Sequence, residues 1–210
     1  TPLYSSAASD VYKRQVLGVL VLTSSTAALA QTNAGSAADV TGSNIYGSYN
    51  GGTLGSPFYA TYSSIGGGRS SLIGNSAVVI SYGTIAGGLS NLVSDNYGSV
   101  CGGQENQVVE DYGAIGGGRG NYVDGQYSTN GGGYQNLVLA DYAVVAGGYQ
   151  NELEGQYSTI GGGKLNKTRY QHATVGGGES NVADEWATVA GGLDNDANGD
   201  CCLLYTSPSP

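Results

Sequence analysis

The central part of the chain repeats one short pattern of hydrophobic and polar positions. In Tyr82-Gly83-Thr84-Ile85, alternation places the glycine and the isoleucine on one face of a β-strand and the tyrosine and the threonine on the other. A second short strand around residues 91–93 supplies aliphatic side chains from the opposite wall. The inward columns are Ile65, Ile85, Val100, Ile115, Val145, Ile160, Val175 and Val189 for the first strand, and Val93, Val108, Val123, Val138 and Leu153 for the second.

The pattern recurs every 15 residues, with one last step of 14. Each unit has an asparagine. An aromatic residue or a histidine stands nine positions before that asparagine, and a Gly-Gly pair lies between the two. Extending the frame backwards adds Tyr62 and Tyr46, at steps of 20 and 16 residues, so ten units are expected. The asparagine column is Asn91, Asn106, Asn121, Asn136, Asn151, Asn166, Asn181 and Asn195, and the aromatic column is Tyr82, Tyr97, Tyr112, Tyr127, Tyr142, Tyr157, His172 and Trp186.

A repeat of this length indicates one coil of a β-solenoid, because helical repeats and propeller blades need longer units. The Gly-Gly pair is expected at the corner between the two strands, where glycine accepts positive φ and close backbone stacking. Asn130 interrupts the first inward column, which predicts either a local defect or a buried hydrogen bond. We therefore predict an all-β parallel solenoid of about ten 15-residue coils over residues 46–199.

The two remaining columns have different expected roles. The asparagines would form an amide ladder from coil to coil or would occupy left-handed corners. The aromatic residues would stack outward at about the 4.8 Å strand spacing, as a continuous stripe. Such a stripe is typical of an interface or a binding surface. Because a single thin roll buries few aliphatic side chains per coil, we also expect several chains to associate.

Composition and candidate chemistry argue against catalysis. A formal net charge of -9 disfavours nucleic acid as a partner. His172 is the one histidine and Cys101 stands alone in the repeat region, so no metal cluster, cofactor site or catalytic set is expected. We predict that Cys101 is a small buried or turn residue. Acidic residues between the units could bind Ca²⁺, but a solvated, self-repelling edge is the favoured interpretation.

The two ends of the chain differ from the repeats. Residues 16–30 are an apolar run that closes on Ala28-Leu29-Ala30, the layout of a secretory signal peptide. Residues 1–15 and 200–210 resemble translated sequencing-adapter tails and are interpreted as non-native. Residues 31–45 would then be a linker or an N-terminal cap.

Two of the repeats carry a family resemblance. The segments YSTIGGGKLN (157–166) and HATVGGGESN (172–181) resemble the head repeat of YadA-like trimeric autotransporter adhesins. The resemblance covers roughly residues 46–199, although the family repeat is usually shorter by one residue and has a larger aliphatic side chain after the aromatic position. It implies a left-handed parallel β-roll and a homotrimer on the bacterial cell surface, associated with the outer membrane through a downstream anchor. The expected ligand is an extracellular matrix protein, a glycan or another cell.

Two other functions remain open on the residues alone. The threonine column is also a feature of ice-binding solenoids, although Ser99, Ala114 and Val144 interrupt it. The aromatic ladder could instead serve a carbohydrate-binding or tail-fibre module as a stacking platform. The threonine column of the ice-binding alternative consists of Thr84, Thr129, Thr159, Thr174 and Thr188.

Overall fold

The architecture comes from a computed structural model of the chain. It describes residues 63–74, 80–199 and 201–204, together with the strand positions 44–45, 53–54 and 60–61. Within these residues every regular element is a β-strand of two residues, and there is no helix. The predicted signal peptide at 16–30 and the tail at 1–15 lie outside the described residues, as does the predicted linker apart from its last two positions.

The strands form two long parallel sheets, and successive strands along the chain alternate between them. A chain that returns to the same sheet once per repeat, always in the same direction, winds as a parallel solenoid. The predicted fold class is therefore confirmed, while the hand of the coil stays a prediction.

The bounds of the strands show how short each element is. The first sheet contains Asn44–Ile45, Ser64–Ile65, Thr84–Ile85, Ser99–Val100, Ala114–Ile115, Thr129–Asn130, Val144–Val145, Thr159–Ile160, Thr174–Val175, Thr188–Val189 and Leu203–Leu204. The second sheet contains Thr53–Leu54, Leu72–Ile73, Leu92–Val93, Gln107–Val108, Tyr122–Val123, Leu137–Val138, Glu152–Leu153, Lys167–Thr168, Val182–Ala183 and Asp196–Ala197. A further pair of strands, Ala60–Thr61 and Ile80–Ser81, forms a small third sheet.

Strand register follows the sequence period over most of the chain. Ala114 pairs with Ser99 on one side and with Thr129 on the other, each 15 residues away. At the start the step is longer, because Asn44 pairs with Ser64 and Ser64 pairs with Thr84. The first of these 20-residue steps differs from the 16 residues that the aromatic frame gives between Tyr46 and Tyr62, whereas the second agrees with the 20 residues between Tyr62 and Tyr82. The extra residues carry the strands of the small third sheet. At the other end, Leu203–Leu204 pairs with Thr188–Val189, so the first sheet continues into the predicted tail at 200–210.

The core is a double column of aliphatic side chains between the two sheets. Every described residue of the predicted inward columns is at most 1% exposed, from Ile65 to Val189 in the first sheet and from Val93 to Leu153 in the second. The residue after each aromatic position is also buried, and it is always small: Gly83, Gly98, Gly113, Ser128, Ala143, Ser158, Ala173 and Ala187. A larger side chain there would collide with the opposite column, since a Cβ on Gly98 would lie 2.6 Å from Val93 Cγ1.

Asn130 continues the strand register although its side chain is polar. It is fully buried, and its backbone pairs with Ile115 and Val145 in the neighbouring coils. The Oδ1 atom accepts a hydrogen bond from the backbone N–H of Gly132 at 3.0 Å, and Nδ2 donates to the Asn136 carbonyl at 3.5 Å. Of the two predicted outcomes, the structure shows the buried hydrogen bond.

Thr168 gives a prediction about the stability of the core. It is fully buried in the second inward column, and its hydroxyl oxygen has no hydrogen-bond partner. An unsatisfied buried hydroxyl costs roughly 1–3 kcal/mol. Replacing Thr168 by valine, which has nearly the same shape, should raise the free energy of unfolding by about 1 kcal/mol in urea titrations. Thr159→Val on the exposed face is the matched control and should change it by less than about 0.5 kcal/mol. A destabilised Thr168→Val protein would contradict the prediction.

Candidate functional surface

The asparagine column forms a continuous amide ladder inside the coil. Asn136 Nδ2 donates to the carbonyl oxygens of Gly132 at 2.8 Å and Gly148 at 3.1 Å. Its Oδ1 accepts from the backbone N–H of Asn151 at 2.9 Å and from Asn151 Nδ2 at 3.1 Å. Each Nδ2 therefore ties its own glycine corner to that of the next coil. Equivalent hydrogen bonds join the column from Asn91 to Asn195.

Left-handed backbone occurs beside the asparagines. None of the eight asparagines, all within the described residues, has a positive φ. The residue before each of them does, as in Glu105 at 58° and Gln135 at 51°. The amide-ladder interpretation therefore matches the contacts, and the left-handed corner belongs to a neighbouring position that the sequence pattern did not single out. The residue before the asparagine differs from coil to coil, so no residue type in the sequence reveals the left-handed backbone at that position.

The aromatic column also lies on left-handed backbone. Each member from Tyr82 to Trp186 has φ between 55° and 63°. The backbone N–H of Tyr112 donates to the Asn96 carbonyl of the preceding coil at 2.9 Å, and Tyr97 bonds in the same way to Ser81. Each ring is thus attached to backbone that is fixed to the neighbouring coil.

The rings stack face to face along the axis of the solenoid. Centroids of successive tyrosines are 4.6–5.2 Å apart, with planes inclined by 2–11°. His172 extends the stack from Tyr157 at 5.1 Å, and Trp186 follows at 3.9 Å. The tyrosines of this aromatic stripe are 42–52% exposed and Trp186 is 52% exposed. Eight residues that are 14 or 15 positions apart in sequence therefore form one continuous surface.

The aromatic stripe presents ring edges and hydroxyl groups rather than ring faces. Within the stack, both faces of an inner ring such as Tyr112 are covered by Tyr97 and Tyr127. Desolvation raises the pKa of Tyr112 above its ordinary value, and the charges of Tyr97, Tyr127 and Asp111 raise it further. The phenol is accordingly neutral at physiological pH. A stacking platform for sugar rings needs open faces, which the inner tyrosines do not offer.

A strip of mostly small residues borders the aromatic stripe on the outer face of the first sheet. Thr84, Thr129 and Thr159 are exposed there, and Thr174 and Thr188 are half-buried in the same column. The adjacent column holds only glycine, alanine and Cys101. Cys101 is exposed and free, so of the two predicted roles, a buried or a turn residue, the buried one was wrong. It follows the inward Val100 by one position, and alternation along the strand turns it outward.

Several acidic residues form hydrogen bonds or ion pairs with neighbouring groups. The backbone N–H and Nδ2 of Asn96 donate to Oδ1 of Asp95 at 2.9 and 3.0 Å, and to Oδ1 of Asp111 at 2.9 and 3.0 Å. Desolvation raises the pKa of Asp95, and the hydrogen bond and charge of Asp111 raise it further, against the lowering effect of the Asn96 backbone. On the second sheet, Lys167 Nζ lies 3.1 Å from Glu152 Oε2 and 2.9 Å from Glu154 Oε1. In the part of the chain described, no three His, Cys, Asp or Glu side chains gather in a way that could hold a metal ion.

A second stack was not foreseen from the sequence. Tyr134 and Tyr149 pair through a single-residue parallel bridge between successive coils, with ring centroids 5.1 Å apart and planes inclined by 10°. Their separation by one period is the sequence signal that could have revealed them. The same column otherwise holds unlike side chains, including Arg119 and Lys164, so the stack is confined to one pair of coils.

The fold and its surface define a parallel β-solenoid with an outward aromatic stripe. No family model matches the chain, and no curated protein matches its sequence. No helix among the described residues is long and apolar enough to cross a membrane.

Proposed function

We propose that this solenoid is the adhesive head or a structural spacer of a bacterial surface protein, and that it works as a homotrimer. The observation that supports the proposal best is the aromatic stripe, which stacks eight rings along one side and keeps its six tyrosines and Trp186 about half exposed. Contiguous exposed apolar surface of this kind is typical of protein interfaces. The resemblance of segments 157–166 and 172–181 to trimeric adhesin heads points in the same direction.

The mechanism of such a head is mechanical rather than catalytic. The coils are connected by parallel backbone ladders and by the amide ladder, so the scaffold holds its surface columns at fixed spacing. Along that scaffold, the stripe would pack against neighbouring chains, and the remaining outer faces would contact a matrix protein, a glycan or another cell. Export to the cell surface is part of the same proposal.

The trimer can be tested with the full chain by size exclusion coupled to light scattering. We expect three times the chain mass of 21.2 kDa at micromolar concentration. Replacing Tyr112, Tyr127 and Tyr142 by alanine should reduce the mass to that of one chain, because it removes the centre of the aromatic stripe. The matched variant replaces Tyr122, Tyr134 and Tyr170, which lie outside the stripe, and should remain trimeric. Circular dichroism of both variants distinguishes dissociation from unfolding.

A wild-type chain that stays monomeric up to 100-fold higher concentration would contradict the proposal. The threonine column would then be the surface to examine, by measuring thermal hysteresis. Thr84, Thr129 and Thr159 are exposed in that column, as an ice-binding face requires. Ala114 and the 40% exposed Val144 interrupt the hydroxyl groups. This arrangement is why ice binding ranks second.

A further inference from the structure

Six consecutive tyrosines of the aromatic stripe stand in register with one another. From Tyr82 to Tyr157 they form five face-to-face pairs, with the shortest centroid distance, 4.6 Å, at Tyr97–Tyr112 and Tyr112–Tyr127. The planes of Tyr97 and Tyr112 are inclined by only 2°. Equivalent ring carbons of neighbouring tyrosines therefore lie about as far apart as the ring centres.

These phenols are both accessible and preorganised. The six tyrosines are 42–52% exposed, so a reagent in solution can reach their edges. Their backbone positions are fixed by hydrogen bonds between coils, as at Tyr112 N–H to Asn96 and Tyr142 N–H to Gln126, both 2.9 Å. Holding two reacting groups next to each other gives them a high effective concentration, so they react together before either meets another chain.

We propose that the tyrosines of the aromatic stripe are a site of oxidative coupling, in which dityrosine bonds join successive coils of one chain. The oxidant is a one-electron oxidant of the peroxidase and hydrogen peroxide class. Each of two neighbouring phenols gives one electron to the oxidant and its hydroxyl proton to water. The two phenoxyl radicals then form a carbon–carbon bond between their ortho positions. Movement of the two displaced ring hydrogens to the oxygens restores both aromatic rings.

The electrons and protons of this step balance. Two tyrosines lose two electrons and two protons in total, and one hydrogen peroxide takes them up to give two water molecules. The product is a covalent link between residues 15 positions apart, parallel to the solenoid axis. Such a link acts as a disulfide does, by restricting the unfolded chain. This inference concerns a modification site of the single chain and does not rest on the proposed adhesive function. Its test uses the single chain, because neighbouring chains would cover the aromatic stripe in the proposed trimer.

Two variants with three substitutions each, one in the aromatic stripe and one outside it, test the proposed coupling. Changing Tyr97, Tyr127 and Tyr157 to phenylalanine keeps every ring in the stack but leaves no two neighbouring phenols there. Changing Tyr122, Tyr134 and Tyr170 to phenylalanine removes the same number of phenols and leaves the aromatic stripe intact. Of the six stacked tyrosine pairs among the described residues, the first variant loses five and the control loses one.

The experiment treats the full chain, diluted until light scattering gives the mass of one chain, with a haem peroxidase and hydrogen peroxide, and follows dityrosine fluorescence. Each phenol couples once, so the six tyrosines of the intact stripe give at most three dityrosines, while the stripe variant keeps only the Tyr134–Tyr149 pair. We expect about a threefold lower yield in the stripe variant than in the control variant, with the product running at the mass of a single chain in denaturing gels. Oxidised wild-type protein should also unfold at higher denaturant concentration than untreated protein. Equal yields in the two variants would overturn the proposal.

Peptide mapping identifies the coupled residues. Cleavage at acidic positions places Tyr97 in peptide 96–105 and Tyr112 in peptide 112–124, so their coupling gives one joined species of defined mass. Recovery of that species from single-chain product supports the site. Product at twice the chain mass, or coupled peptides from outside the aromatic stripe only, would overturn it. Neither result would bear on the trimer, which is measured without oxidant.

Discussion

Replacing Asn136 by alanine is expected to lower the free energy of unfolding by roughly 3–5 kcal/mol. The substitution removes the Nδ2 donor to Gly132 and Gly148, and the Oδ1 acceptor of the Asn151 backbone N–H. Asn136 is fully buried, so water cannot replace these partners. Each buried group left unsatisfied costs roughly 1–3 kcal/mol.

Denaturant unfolding at fixed protein concentration measures this loss. The control is Asn198→Ala, an exposed asparagine outside the ladder, which should change stability by less than about 0.5 kcal/mol. Hydrogen exchange gives a local readout, because the Asn151 amide should lose protection when its 2.9 Å partner is removed. An Asn136→Ala protein with wild-type stability and a protected Asn151 amide would refute the proposed structural role of the ladder.

Gly118→Ala is the second large expected effect, at roughly 3 kcal/mol or more. Gly118 has φ of +85°, and an added Cβ would lie 2.1 Å from the Gly133 carbonyl oxygen of the next coil. That oxygen also accepts a hydrogen bond from Asn121 Nδ2, so it cannot move away without disturbing the ladder. The cost therefore comes from close coil stacking in addition to the backbone conformation.

Gly120→Ala separates these two contributions in the same coil. Gly120 also has a positive φ, at +66°, but an added Cβ would meet only the flexible Cγ of Gln135 at 3.2 Å. Glu105 and Gln135 occupy the equivalent position in the neighbouring coils. Alanine at 120 should therefore cost only about 1 kcal/mol. If both alanine variants lose the same stability in denaturant titrations, coil-to-coil contact is not the reason for glycine at 118.

The inward columns could be derived from the sequence because they depend only on alternation within a strand and on the length of the repeat. Ile85, Val93 and their equivalents were assigned to the interior and are buried there. Asn130 follows the same logic: a polar side chain at an inward position must find a hydrogen bond, and it finds Gly132. The 20-residue step from Asn44 to Ser64 could not be derived, because the aromatic frame gives 16 residues between Tyr46 and Tyr62. The frame also gives no sign of the extra strand at Ile80–Ser81.

The candidate surface was only partly predictable. Stacking of the aromatic column follows from the period, since residues one coil apart must lie one strand spacing apart. The inner rings cover each other's faces because of their orientation. No single residue in the sequence encodes that orientation. The sequence left a buried and a turn position open for Cys101, because small residues occur on both the inner and the outer columns. Residue size alone does not distinguish the two sides.

The sequence by itself determined the repeat, the parallel solenoid and the identity of the buried aliphatic columns, because these depend on local alternation and on a fixed period. Only the tertiary structure decided which backbone positions are left-handed, how the asparagines divide their hydrogen bonds between coils, and which parts of the tyrosines face solvent. Those features depend on contacts between residues 12 to 15 positions apart, such as Asn136 with Gly148 and with Asn151. Such contacts exist only once neighbouring coils have stacked.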